Sequence, residues 1–599
     1  MKILFLICIS TTLLFSSCDT WEDDINNDPN SPPYSKTNQN DKAADYEPQQ
    51  FMSDMLWNTI SGWYYIDWNV APSVCEYHGK TLSLSQGNRH QAWHDLEYVW
   101  KPCYNDALNI KSIRKTAIAV NDKKYVAVAD IWECYNFFCL TNLYGDVPYS
   151  QAISENSPIT PVYDSQEFIY KTLIAKLKAA SLSIENNASS IDATTDAIFG
   201  GNMLKWKKFA NTMLIRYAMY MSDAAPDSAK AILNEIINNP SVYPVMESND
   251  DNAMYHFDGS THRSQMYTLS KSKIEEAPFS NIFIERLVSL KDPRLPVYAR
   301  PVKSTHSNSA LNALFNNKGT DKYAGHLYGI TSDNAYSAAW NGGANYASKL
   351  GEYFRTEDDK GSATIDCATK PLALALYSEM LFFLAEAREK GWITTGTAKD
   401  YYERAIQASF NQYNATFTSD KYLRAFSDEA LKTADEYLAQ PDVSYSGTRD
   451  KLTLIAEQKW IASFLLSFEP YFDHRRTMLP KFRASSGAEA YVNTGSGTKF
   501  PSRADYPLSE AATNSVNYYA ARAQSFSEPI TSDANKNTVL MWLLKPKGKD
   551  WLQMPVFQEP AYKAEYPHDA TDTEFGTSFK SWYDTNWNSM FWWKNNDRK

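Results

Sequence analysis

The chain has 599 residues, of which 43% are hydrophobic, 14% aromatic and 22% charged, and it carries a net charge of -11. Its length provides for a sizeable core, either as several ordinary domains or as one large helical body. The acidic balance excludes a nucleic acid or an anionic lipid surface as partner, because no basic stripe is present to neutralise phosphates.

The first 17 residues read as an export leader. Lys2 precedes an apolar stretch from Ile3 to Phe15, too short to span a membrane, followed by the small residues Ser16 and Ser17. The leader stops at Cys18. Cleavage after small residues accounts for Ser16 and Ser17 but not for the cysteine, whereas a bacterial lipoprotein pathway acylates that thiol and makes it the new N-terminus. Two or three acyl chains, at about 0.8 kcal/mol per buried methylene, anchor a domain on a bilayer without a spanning helix. Ordinary secretion with an incidental cysteine is the alternative. Residues 18–50 form an acidic tether, with eight acids (Asp19, Glu22, Asp23, Asp24, Asp28, Asp41, Asp45, Glu47) against Lys36 and Lys42. Cys75, Cys103, Cys134, Cys139 and Cys367 remain in the mature chain. Five cannot all pair, so they read as buried free thiols, and no CxxC zinc signature is present.

Residues 51–599 read as one mostly α-helical domain. A first helix is expected over Phe51 to Ile60, then an aromatic and glycine-rich loop from Ser61 to Gly87, with helices resuming near Gln91. Between Asp122 and Tyr144, Tyr125, Val128, Ala129, Trp132, Tyr135 and Cys139 recur at helical spacing. Asp164 with Glu167 predicts a capping box for a helix stacking Ile169, Leu173 and Leu177. The next helix runs from Met203 to Met221. From Asp223 to Pro371 the pattern loosens, with DPRLPV at 292–297 as a rigid turn and a long loop over GITSDNAYSAAWNGGANYASKLG. Helices return over Leu372 to Lys390, Tyr401 to Tyr413 and Leu452 to Phe468. Paired amphipathic helices that need neighbours to bury a face predict a superhelical array.

Most local motifs read as architecture. In YGDVPY, Gly145 supplies an unusual backbone angle, Asp146 caps it, and Tyr144 and Tyr149 bury against helices. Arg216 shares a helix face with Trp206 and is expected in a buried ion pair. The DHRR run at 473–476 is expected to staple a helix end by charge-assisted bonds.

Taken in order, several segments resemble the SusD/RagB family of surface nutrient-binding lipoproteins, in its SusD-like branch. They are INNDPNSPP in the tether, NLYGDVPYSQA (Asn142 to Ala152), DAIFGGNMLKWKKFANTMLIRYAMYMSD (Asp196 to Asp223), DPRLPVYARP, EMLFFLAEAREKGW (Glu379 to Trp392), QKWIASFLLSFEPYFDHRRTMLP (Gln458 to Pro480), SRADYPLSEAATNSVNY and the terminal WW. The resemblance implies a scaffold of tetratricopeptide-like helix pairs with long irregular loops as the ligand face. It further implies a hinged lid on a TonB-dependent, SusC-like outer-membrane barrel, which captures an oligosaccharide or, in the RagB branch, a peptide. It implies no bond chemistry, no cofactor, and a lipid-anchored position on the cell surface.

Sugar recognition calls for flat aromatic faces beside amides, carboxylates or guanidinium groups. The loops offer two clusters. The first comprises Trp63, Tyr64, Tyr65, Trp68, Tyr77 and His78, continued by Asn88, Arg89 and Trp93; the second comprises Tyr336, Trp340, Asn341 and Tyr346. His90 and His94, four apart beside Asp95, have a spacing that suits a metal, but HExxH and a third ligand are absent. GxSxG, GxxxxGK and GxGxxG are also absent, which leaves a surface glycoside hydrolase as the weaker class.

Overall fold

The computed structural model describes residues 47–79, 96–302, 323–326, 347–358, 362–413, 434–480, 503–525 and 541–547. Among the described residues, six long helices of the N-terminal part run in order: α1 (Met52–Asn69), α2 (Glu97–Ala119), α3 (Lys123–Tyr144), α4 (Gln166–Ser183), α5 (Met203–Tyr220) and α6 (Pro226–Asn238). Each packs on the next, the arrangement expected of stacked helix pairs. Later come α7 (Asn281–Ser289), α8 (Tyr377–Glu389), α9 (Ala398–Gln412), α10 (Lys451–Ala462), α11 (Glu469–Thr477) and α12 (Ser515–Ser525). Helix α8 packs on α9, α10 and α5, so it joins the two groups. The described strands form two antiparallel pairs. In one, β1 (Val147–Pro148) sets Val147 opposite Asp164 of β2 (Tyr163–Asp164); in the other, β3 (Ala253–Tyr255) lies against β4 (Leu372–Ala375).

Local chemistry fixes the ends of these elements. Asp122 caps α3 by accepting the Lys124 amide at 2.9 Å, and α3 stops at Gly145, whose φ of 81° suits a residue without Cβ. Asp146 then accepts the Gln166 amide at 2.8 Å, and Tyr144 and Tyr149 are buried as expected. Every residue from Ile131 to Tyr144 is buried, which marks α3 as a central helix covered on all sides and not one with a single apolar stripe.

Four sequence expectations need correction. The cap of α4 is Ser165, which accepts the Phe168 amide at 3.3 Å, while Asp164 sits on β2 and takes the amides of Tyr149 and Ser150 at 3.0 and 2.7 Å. Helix α1 does not stop at Ile60. Gly62 lies inside it where α2 crosses, and a Cβ there would stand 2.7 Å from the Tyr98 carbonyl oxygen, so this glycine permits a close helix contact and does not break the helix. The segment opening at Leu372 begins as β4, and α8 starts only at Tyr377, whose amide donates to Asn252 at 2.7 Å. The helix expected to reach Phe468 ends at Ala462, before the positive-φ residues Leu465 and Ser467.

Buried charges connect the helices. Arg216 of α5 donates to Glu379 of α8 at 2.5 Å, to the Leu374 carbonyl at 3.0 Å and to Glu469 of α11 at 3.3 Å, and the Tyr220 hydroxyl donates to Glu469 at 2.6 Å. Arg476 grips both oxygens of Glu386 at 2.6 Å and reaches Asp473 at 2.7 Å, while Arg475 donates to the Asn142 carbonyl at 2.8 Å. In the DPRLPV turn, Arg294 closes on Asp292 at 2.9 and 2.7 Å. All five described cysteines are buried and unpaired.

One guanidinium serves two carboxylates at Arg216, and Glu379 holds the shorter contact. Burial pushes the Glu469 carboxyl up from an ordinary 4.5 to about 7, with Glu379 adding to the rise and Arg216 opposing it. The folded chain therefore keeps a proton that the unfolded chain releases. The resulting stability is complete below pH 4.5, falls as the pH rises and is lost above about 7, a change of a few kcal/mol. Urea unfolding at pH 5 and pH 8 is expected to show this fall, and Glu469→Gln is expected to flatten it. An unchanged slope in the variant would assign the pH dependence elsewhere. Glu386 acts in a separate window: against its own burial, Arg476 and Lys390 hold it well below the carboxylate range, so its contribution is lost only in acid.

Candidate functional site

The first aromatic cluster is divided by the fold. Trp63, Trp68 and Tyr77 are only 2%, 1% and 2% exposed. Trp63 stands edge-on to Phe468 at 5.6 Å, and Trp68 meets His78 at 4.4 Å. Tyr77 stacks on Trp460 at 5.3 Å and donates its hydroxyl to the Trp460 carbonyl at 2.5 Å. Burial pushes the Tyr77 phenol well above its ordinary value. Trp63 and Tyr77 hold α1 and the segment after it against α10 and its following segment, and all three rings are buried, so the expectation that they face a ligand is corrected. Tyr64 and Tyr65 lie on α1, but their side chains are outside the described residues, as are Asn88, Arg89, Trp93, Tyr336, Trp340, Asn341, Tyr346 and Cys18. The His90 and His94 pair is outside them too. Among the described residues, no group of three or more His, Cys, Asp or Glu could hold a metal ion, and no helix is long and apolar enough to cross a membrane.

A different place has the shape of a ligand site. A cavity of about 300 Å³ opens beside the β3–β4 pair and the C-terminal end of α9, at the lower end of small-molecule pocket sizes. One wall is aromatic: Tyr353 meets Phe354 and Tyr413 edge-on at 5.1 and 5.2 Å, and Phe354 meets Tyr413 at 5.6 Å. Phe257 also lines the cavity and stands edge-on to Trp57 at 6.4 Å. Trp57 in turn stacks on His262 at 4.1 Å, with the rings 15° apart.

The polar lining is mostly uncharged. Asn252 is committed to capping α8, and Asn249 donates to the Ala408 carbonyl at 2.8 Å while its own side-chain oxygen has no protein partner. Gln265 and Gln412 also line the cavity, and the amide of each lacks a hydrogen-bond partner at both its nitrogen and its oxygen. Lys370 holds its ammonium 4.6 Å from the centre of the Tyr353 ring. Chemically this is an amide-bearing pocket with rings for apolar faces and one residue of each charge, Asp250 and Lys370, suited to binding. Sequence reading missed it, although the Tyr353–Phe354 pair immediately after the long loop was a usable signal.

The family model described as "Starch-binding associating with outer membrane", SusD-like, matches residues 38–507. The chain belongs to the SusD-like family. This SusD-like chain shares its fold with a SusD homologue from Bacteroides fragilis, at a TM-score of 0.68 and 21% identity, covering 83% of this chain and 100% of the other. A chitin-binding protein matches at a TM-score of 0.65 and 25% identity, with 83% and 99% covered. A chitin-binding SusD homologue from Flavobacterium johnsoniae matches at 0.63 and 22%, again with 83% and 99% covered. No curated protein matches the chain. The mostly helical fold expected from sequence is the fold of these SusD-like structures.

Proposed function

We propose that this SusD-like chain is a cell-surface lipoprotein that captures a glycan and delivers it to a TonB-dependent outer-membrane barrel, over which it sits as a lid. The family match over residues 38–507 carries the reading. Three further features support it: the leader that ends at Cys18, the acidic segment after it, and an aromatic, amide-lined cavity sized for a small ligand. Chitin binding by two structural neighbours favours a glycan over a peptide as the cargo. Residues 1–17 are then the leader, 18–50 the tether and 51–599 the binding domain. The chain holds and releases its ligand and performs no bond chemistry, in contrast to a surface glycoside hydrolase.

Anchor and partner are tested together. The wild-type chain is expected in the outer-membrane fraction, and a mild-detergent pull-down is expected to bring a large β-barrel with it. Cys18→Ala is expected to release the protein in soluble form. A Cys18→Ala protein that stays membrane-bound would remove the anchor, and a pull-down free of any barrel would remove the lid.

A further inference from the structure

We infer that the cavity beside β3 and β4 is a subsite for an N-acetylated sugar, read through its acetamido group by the side-chain amides of Gln265 and Gln412. This rests on the glycan-binding reading above and names the class of sugar. Gln265 is 3% exposed, yet neither its nitrogen nor its oxygen has a hydrogen-bond partner. The same holds for the Gln412 amide and for the side-chain oxygen of Asn249. A buried polar group without a partner costs about 1–3 kcal/mol, and such groups are rare unless something else satisfies them. Several around one cavity point to an occupant that supplies the missing partners.

The chemistry of these orphans selects the occupant. A primary amide both donates and accepts, and its complement is a group that offers both a carbonyl oxygen and an N–H. An acetamido group does this at a single carbon of the sugar ring, whereas a plain hydroxyl there offers one small group in place of two. The acetyl methyl and the C–H face of the ring need apolar surface, and Tyr353, Phe354 and Tyr413 provide it. A neutral ligand also suits the charges, because the lining holds one residue of each sign, Asp250 and Lys370, and the Lys370 ammonium is engaged over the Tyr353 ring.

The test is calorimetry on the full-length protein in detergent, with three probes: the β-linked dimer of N-acetylglucosamine, the β-linked dimer of glucose, and a blocked dipeptide. The acetylated dimer is expected to bind about tenfold more tightly than the unacetylated one, since a site built to pair polar groups rejects an analogue lacking them. Gln265→Met with Gln412→Met is expected to erase that preference without lowering the melting temperature, because the change removes amides that had no partner. Saturation-transfer NMR on the unaltered protein gives a readout that needs no variant, and the acetyl methyl is expected to be its most strongly saturated group. Equal affinity for the two sugar dimers would overturn the subsite and leave glycan binding intact. Binding of neither sugar would overturn the glycan reading beneath it. Preference for the dipeptide would overturn the sugar in favour of a peptide amide.

Discussion

Arg216→Met is expected to lower the stability of the chain by about 3–5 kcal/mol, read as a shift of the urea midpoint at neutral pH. Methionine keeps much of the bulk but leaves Glu379 and Glu469 without the guanidinium that both contact, at sites where α5, α8 and α11 converge. The loss measures an abandoned buried charge, not the value of a salt bridge. Two consequences separate these. The penalty is expected to shrink in acid, where the raised Glu469 carboxyl holds its proton, and Arg216→Met combined with Glu379→Gln and Glu469→Gln is expected to recover most of it, since a buried ion cluster can be replaced by uncharged groups of similar size. A penalty independent of pH and unrescued by the triple change would show that the arginine acts through packing alone.

Trp68→Ala is expected to cost about 3–5 kcal/mol of stability, the range for truncating a fully buried large ring. Trp63→Ala is expected to behave similarly, because both indoles lie in the main core. Any loss of ligand affinity in these variants should then follow the folded fraction and disappear when binding is corrected for it. The indole N–H of each ring has no hydrogen-bond partner, so Trp68→Phe, which keeps an aromatic ring and discards that group, is expected to be far milder. Trp68→Ala with unchanged melting and weakened binding would return the ring to the ligand face.

The contrast between these tryptophans and the cavity shows what could be read from the chain. Helix α3 was legible because its cap at Asp122, its apolar spacing and its stop at Gly145 all agree locally. The ion pair at Arg216 was legible because an arginine amid a run of apolar residues has few other places to go. Helix α1 was misread because Gly62 and the aromatic run after it look like a loop, whereas glycine there makes room for the Tyr98 backbone of α2, a fact of tertiary packing. The Asp164 cap failed for a related reason: a carboxylate one residue early had nearer amides on the turn after β1. Of the cavity, only the Tyr353–Phe354 pair after the long loop was legible. Gln265, Tyr353 and Gln412 come from separate segments with no common motif, and only the β3–β4 pairing and the end of α9 bring them to one place.

The decisive measurement is calorimetry of the full-length protein against a panel of polysaccharides and a peptide digest, with a reducing-sugar assay on the same mixtures. Saturable binding to one glycan class with no sugar released is the predicted result. Release of reducing sugar, or binding to the peptides alone, would contradict capture of a glycan without chemistry.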